Sequence, residues 1–118
     1  MPMNIKSFAE ATGLTPYTLR YYEKIGLLKE VRRNGSGHRT FTSKEIKWVE
    51  FIIRLKETGM PLEQILQYGA LRDEGDQTML ARQTMLEDHR EALKAQIESQ
   101  MRHLSALDNK IEFYKNHA

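Results

Sequence analysis

Hydrophobic positions recur at helical spacing in four short bursts and then in one long one. In the first burst Ile5, Phe8 and Ala9 stand at i, i+3 and i+4, and Gly13 follows as a stop, which predicts a short helix. A second helix opens with Thr15 as N-cap and Pro16 at the first helical position, where the missing N–H costs nothing. Leu14 and Leu19 hold the two places of a hydrophobic staple, and Gly26 ends the helix. Two short helices joined by a Gly-containing turn form a helix-turn-helix. In the second of them Leu19 and Tyr22 fall toward the buried side, and Tyr17, Thr18, Arg20 and Tyr21 toward solvent.

The pattern then changes period. Leu28 and Val31 lie on one side of a Gly-rich tip, Asn34-Gly35-Ser36-Gly37, and Arg39 to Phe41 on the other, which predicts a two-stranded hairpin or wing. A third helix restarts at Thr42-Ser43-Lys44-Glu45, a capping box flanked by the staple pair Phe41 and Ile46. Its core-facing positions are expected to be Ile46, Val49 and Ile53 with Trp48 and Leu55, and Gly59 closes it. Pro61 opens a fourth short helix carrying Leu62, Ile65 and Leu66, expected to close near Gly69, and Asp73-Glu74-Gly75-Asp76 is expected to be a solvated connector.

From about residue 77 to 115 there is neither Pro nor Gly. Steps of four and three run through Met79, Gln83, Leu86, Arg90, Leu93, Ile97, Gln100, Leu104, Leu107, Ile111 and Tyr114, and eight of these eleven are apolar or aromatic. That is a coiled-coil seam. A narrow stripe on so long a helix needs a partner helix, most simply its own copy, with Leu86, Leu93, Ile97, Leu104, Leu107 and Ile111 as the dimerisation residues. The expected organisation is a domain over 1–72, a connector over 73–78 and a dimerisation helix over 79–118.

Composition narrows the chemistry. A chain of 118 residues with 29% charged and 40% hydrophobic residues suits one small folded domain and a tail. No apolar run approaches the length of a membrane span, and the start lacks a secretory signal, so a cytoplasmic protein is expected. With no cysteine, disulfides, thiolate catalysis and zinc fingers are excluded. Paired carboxylates, nucleophile–base sets and phosphate-cradling Gly loops are missing at any meaningful spacing, which argues against an enzyme. His38, His89 and His103 read as solvated and Met79, Met85 and Met101 as packing residues, so neither a metal site nor a cofactor is expected. Charge is unevenly spread: residues 1–59 hold 11 Lys and Arg against 6 acids, and residues 60–118 hold 7 against 10. A basic first half, with Lys29, Arg32, Arg33 and Arg39 around the hairpin, suits a polyanion. Hydroxyls and a guanidinium near the start of an exposed helix can reach base edges and phosphates of duplex DNA, with the wing straddling the flanking backbone.

Residues 5–66 resemble the DNA-binding domain of the MerR family of bacterial transcription regulators. The likeness rests on Thr15 to Glu23 with Gly26-Leu27-Leu28, on Gly37-His38-Arg39 with Phe41, and on Leu55 to Ile65 (LKETGMPLEQI). The resemblance implies a mainly α fold: a winged helix-turn-helix followed by a long helix that pairs in an antiparallel coiled coil. It also implies a homodimer on an inverted-repeat operator in promoter DNA, which the protein bends and untwists so that RNA polymerase engages both promoter elements. Carried over by position, Thr18, Arg20 and Tyr21 belong to the recognition helix, Arg39 to the wing and Lys56 to a backbone contact in the second wing region. Tyr17 and Arg33 join them on charge and exposure, and Thr15 and His38 complete the expected DNA-binding set. His38 and Phe41 stand where the family usually has tyrosines. Thiolate sensing of metals or of stress is excluded by the lack of cysteine, Ile52, Ile53 and Arg54 occupying the matching helix, and no residues are expected to remain for a drug-binding domain. The sequence names no small-molecule effector, target promoter or sign of regulation. Two other readings stand beside this one: an architectural, excisionase-like DNA-bending protein without effector response, and a coiled-coil adaptor whose wing is idle.

Overall fold

The computed structural model describes residues 3–28, 32–33 and 39–118; the side chains of 32–33 and 39–40 are outside that description, as are Val31, the 34–37 tip and His38. Two compact units are present, Met1–Glu74 and Gly75–Ala118.

In the first unit, α1 (Ile5–Thr12) is capped by the Asn4 side chain, which accepts from Ser7 N–H at 2.9 Å, and is closed by Gly13 at φ 76°. Helix α2 (Pro16–Lys24) follows, with Thr15 Oγ1 accepting from Thr18 N–H at 3.1 Å. Two short antiparallel strands, β1 (Arg32–Arg33) and β2 (Arg39–Thr40), pair Arg32 with Thr40 and Arg33 with Arg39. Immediately after β2, Phe41 bridges back to Met3 through reciprocal N–H to carbonyl bonds of 2.6 and 2.7 Å, which ties the start of the described chain to the base of the wing. The core lies where α1, α2 and α3 (Ser43–Glu57) meet: Phe8, Leu19, Tyr22, Leu27, Leu28, Phe41, Val49, Ile52 and Leu55 are all buried. Phe8 and Phe41 pack with ring centroids 4.2 Å apart. Trp48 donates its indole N–H to Leu27 O at 2.7 Å, so its one polar atom is satisfied inside the core.

Two details differ from the sequence expectation. On α3 the fully buried isoleucine is Ile52, whereas Ile46 and Ile53 are half-buried. The buried stripe runs through Trp48, Val49, Ile52 and Leu55, because the large Trp48 ring sets the rotation of the helix against the loop that carries Leu27. The second difference concerns α4 (Leu62–Glu74), which does not close at Gly69 but runs five residues further, taking in Asp73 and Glu74 of the expected connector. Gly69 is a packing residue: a Cβ there would meet Trp48 Cζ2 at 3.4 Å and Leu27 Cδ2 at 3.6 Å. Those are ordinary contact distances, and alanine is the better helix former by about 1 kcal/mol. Gly69→Ala is therefore expected to keep or raise the thermal midpoint, and Gly69→Leu, which overfills the same place, to lower stability by about 1–3 kcal/mol. Thermal unfolding followed by circular dichroism checks both; equal loss in the two variants contradicts the packing account.

Glu45 closes the first turn of α3, its carboxylate accepting from Thr42 N–H at 2.9 Å and from the Thr42 hydroxyl. Burial, the largest single influence, would raise this carboxyl. The Thr42 side chain, the backbone N–H groups of Glu45 and Thr42, and the charge of Lys44 together hold it below its ordinary value of 4.5. A carboxyl lowered by folding contributes stability above its ordinary value and loses it as pH falls through the lowered one. Glu45→Gln is expected to flatten the acid side of the stability profile, so that between about pH 5 and about pH 3 its midpoint falls less than that of the parent. Parallel falls would count against the carboxylate cap.

The second unit begins at Gly75, whose φ of 97° and ψ of −162° form a backbone state open essentially to glycine alone. A 3-10 turn, Asp76–Thr78, leads into α5 (Met79–His117). Arg82 clasps this entry, its Nε donating to Thr78 Oγ1 at 3.1 Å and its guanidinium to Gly75 O at 3.2 Å. With 39 residues, α5 extends about 58 Å. No residue on it is buried, and Ile97, Leu104, Leu107 and Ile111 are each at least half exposed.

Candidate nucleic-acid interface

The outward face of α2 is the densest gathering of the expected DNA-binding residues. At about 100° per residue, the buried Leu19 and Tyr22 define one side of the helix. Tyr17 points almost directly away from them, flanked by Arg20, Tyr21 and Lys24. Tyr17 is 77% and Tyr21 43% exposed, while Thr18 is half-buried at the edge. Thr15 and Thr18 form a hydroxyl pair. Thr15 Oγ1 accepts from Thr18 N–H and donates its one proton to Thr18 Oγ1 at 3.0 Å, so its donor is committed to the cap while the Thr18 hydroxyl keeps its own proton for an outside acceptor.

Lys56 sits exposed near the end of α3, far from α2 in sequence, yet its ammonium donates to the Tyr22 hydroxyl at 3.2 Å and lies 5.6 Å from the Tyr22 ring centre. The tyrosine ring belongs to the core and its hydroxyl reaches the surface, linking the recognition helix to this cation. Arg33 and Arg39 face each other in the register of the wing. Their side chains, and the whole of His38, lie outside the described residues. On α5 the expected dimerisation residues form an open stripe: Leu86 and Leu93 are partly covered, and Ile97, Leu104, Leu107 and Ile111 are exposed.

Two residues of this surface escaped the sequence reading. Lys24 lies two turns along α2 from Tyr17, and the spacing i, i+3, i+7 through Tyr17, Arg20 and Lys24 carries the signal for it. The role of Tyr22 in holding Lys56 has no local signal, because the two are 34 residues apart. Among the described residues no three His, Asp or Glu side chains gather as a metal site, and no helix is long and apolar enough to cross a membrane.

The sequence matches the MerR HTH family of regulatory proteins over residues 3–69, and a second family description, MerR, DNA binding, over residues 46–112. The chain belongs to the MerR family. Members are DNA-binding transcriptional regulators rather than enzymes. The HTH-type transcriptional regulator AdhR of Bacillus subtilis is 44% identical over 91 residues, a match that takes in 77% of this chain and 65% of that relative. An uncharacterized HTH-type regulator of Haemophilus influenzae is 38% identical over 107 residues, covering 91% of this chain and 79% of the relative. The crystal structure of HiNmlR, a MerR family regulator lacking the sensor domain and bound to promoter DNA, superposes with a TM-score of 0.87 at 36% identity, over 98% of this chain and 92% of that one. A MerR family regulator from Bacillus thuringiensis gives a TM-score of 0.80 at 33% identity, over 94% and 97% of the two chains. The MerR architecture of winged helix-turn-helix and long terminal helix is thus common to this chain and its neighbours.

Proposed function

We propose that this MerR-family chain is a cytoplasmic, homodimeric regulator that binds an inverted-repeat operator in promoter DNA and acts by bending and untwisting it, so that RNA polymerase is reached through the DNA. The supporting observation is the outward face of α2, where two tyrosines and two cations stand clear of the core in a domain whose structural neighbour is bound to promoter DNA. In this reading Tyr17, Thr18, Arg20 and Tyr21 enter the major groove, and Arg33, His38, Arg39 and Lys56 hold the backbone on either side. Thr15 acts through Thr18 by fixing its hydroxyl.

Two copies associate along α5. In an antiparallel arrangement with its two-fold axis between Glu98 and Ser99, Leu93 meets Leu104 of the other copy, Leu86 meets Ile111, and Ile97 meets Gln100. Every seam position from Gln83 to Tyr114 then finds a partner, and the exposed Ile97, Leu104, Leu107 and Ile111 are covered. The domains on this reading are the DNA-binding residues 1–72, a connector over 73–78 and a dimerisation helix over 79–118.

Selection of genomic fragments by the purified protein at about 150 mM salt, a concentration that suppresses binding through phosphates alone, tests the proposal. An inverted repeat between promoter elements is the expected product. Enrichment by length or A·T content alone would replace it with the architectural reading.

A further inference from the structure

Tyr17 is the most exposed aromatic residue of the first unit among those described, and its side chain makes no hydrogen bond, ion pair or ring contact with any described residue. It occupies the second position of α2, one residue beyond Pro16, and points away from Leu19 and Tyr22. The N-terminal residues of a recognition helix are those that reach base edges. A side chain at the centre of the outward face goes deepest; Thr18, about 100° round from Tyr17, stands at the margin of that face, and Lys24 lies two turns further along it.

A phenol ring arriving there cannot stack, because the bases of a duplex present edges to the groove rather than faces. The single apolar group on those edges is the C5-methyl of thymine. Arg20, one turn along, offers donors suited to guanine or phosphate, so the chemistry left to Tyr17 is apolar. We infer that Tyr17 is a specificity-determining residue whose ring packs on a thymine methyl in each half-site of the operator. This inference rests on the proposed DNA-binding role of α2 and adds the base class that one of its residues reads. The phenolic hydroxyl is not required for that contact.

The test compares wild-type, Tyr17→Phe and Tyr17→Ala proteins in selection from a random duplex library, followed by replacement of thymine with uracil at the affected position. Uracil differs from thymine only by the methyl group. Tyr17 is exposed and alanine is a good helix former, so circular dichroism is expected to show all three folded. Wild type and Tyr17→Phe should both select thymine at one symmetric position per half-site, and Tyr17→Ala should lose that preference while keeping the rest. Uracil there should weaken wild-type binding by about fourfold per half-site, on the order of fifteen-fold for the pair, and leave Tyr17→Ala unchanged. An equal uracil effect in all three proteins overturns the inference. So does equal loss of affinity in Tyr17→Phe and Tyr17→Ala with unchanged base preference, which assigns the hydroxyl to a phosphate. A wild-type protein that selects no sequence overturns the regulator reading first and this inference with it, an outcome distinct from the other two.

Discussion

Arg20→Ala is expected to lose most of its discrimination between operator and shuffled DNA while staying folded and associated. Arg20 is exposed on α2 one turn from Tyr17, and its removal uncovers nothing in the core formed by Leu19 and Tyr22. A guanidinium bonded bidentately to a base contributes about 1–3 kcal/mol of discrimination, and two-fold symmetry doubles it. The expected loss on the operator is roughly thirty-fold to ten-thousand-fold, with little change on shuffled duplex. Lys56→Ala, by contrast, should weaken both duplexes alike and lower the slope of log affinity against log salt by about 1 per contact removed. Fluorescence anisotropy titrations of the two duplexes at several salt concentrations separate these behaviours. An Arg20→Ala protein that loses the same factor on both duplexes would move Arg20 from the bases to the backbone.

Leu104→Asp is expected to produce a monomer at micromolar concentration and to remove operator binding altogether. In the antiparallel arrangement each dimer contains two Leu93–Leu104 layers, so one substitution buries two unpaired carboxylates in the middle of the seam. The helix itself should fray, since no residue of α5 is buried within its own unit and isolated helices draw little stability from propensity alone. Asn109→Asp adds the same charge at a position outside the seam and should leave the dimer intact. Sedimentation velocity and far-ultraviolet circular dichroism report both effects. A dimeric Leu104→Asp protein with unchanged helicity would mean that α5 associates along another face.

What could be read from the sequence was what local chemistry determines. Thr15 with Pro16, Thr42 with Glu45, and Gly13 after Ala9 announced helix ends, and those ends fall where the caps place them. The face of α2 was legible because Leu19 and Tyr22 leave its other side to polar and aromatic residues. The length of α5 was legible because nothing in it breaks a helix. The misreadings came from partners distant in the chain. Beside Trp48, Val49 and Leu55, which do face the core, Ile46 and Ile53 fit the apolar spacing as well as Ile52 does, and only the docking of Trp48 on Leu27 decides between them. Gly69 looked like a terminator because glycine commonly ends helices, whereas here it lies inside α4, packed beside the Trp48 indole. The Met3–Phe41 bridge and the Lys56–Tyr22 contact join segments that carry no common local pattern.

On the proposed function, two copies of α2, held by paired α5 helices, read the two halves of one site together. The most direct measurement is the affinity of the protein, at about 150 mM salt, for a selected inverted repeat and for the same duplex with one half-site scrambled. Affinity is expected to fall by at least about a hundredfold on scrambling, with one dimer bound to the intact site. Equal affinity for the two duplexes would contradict it.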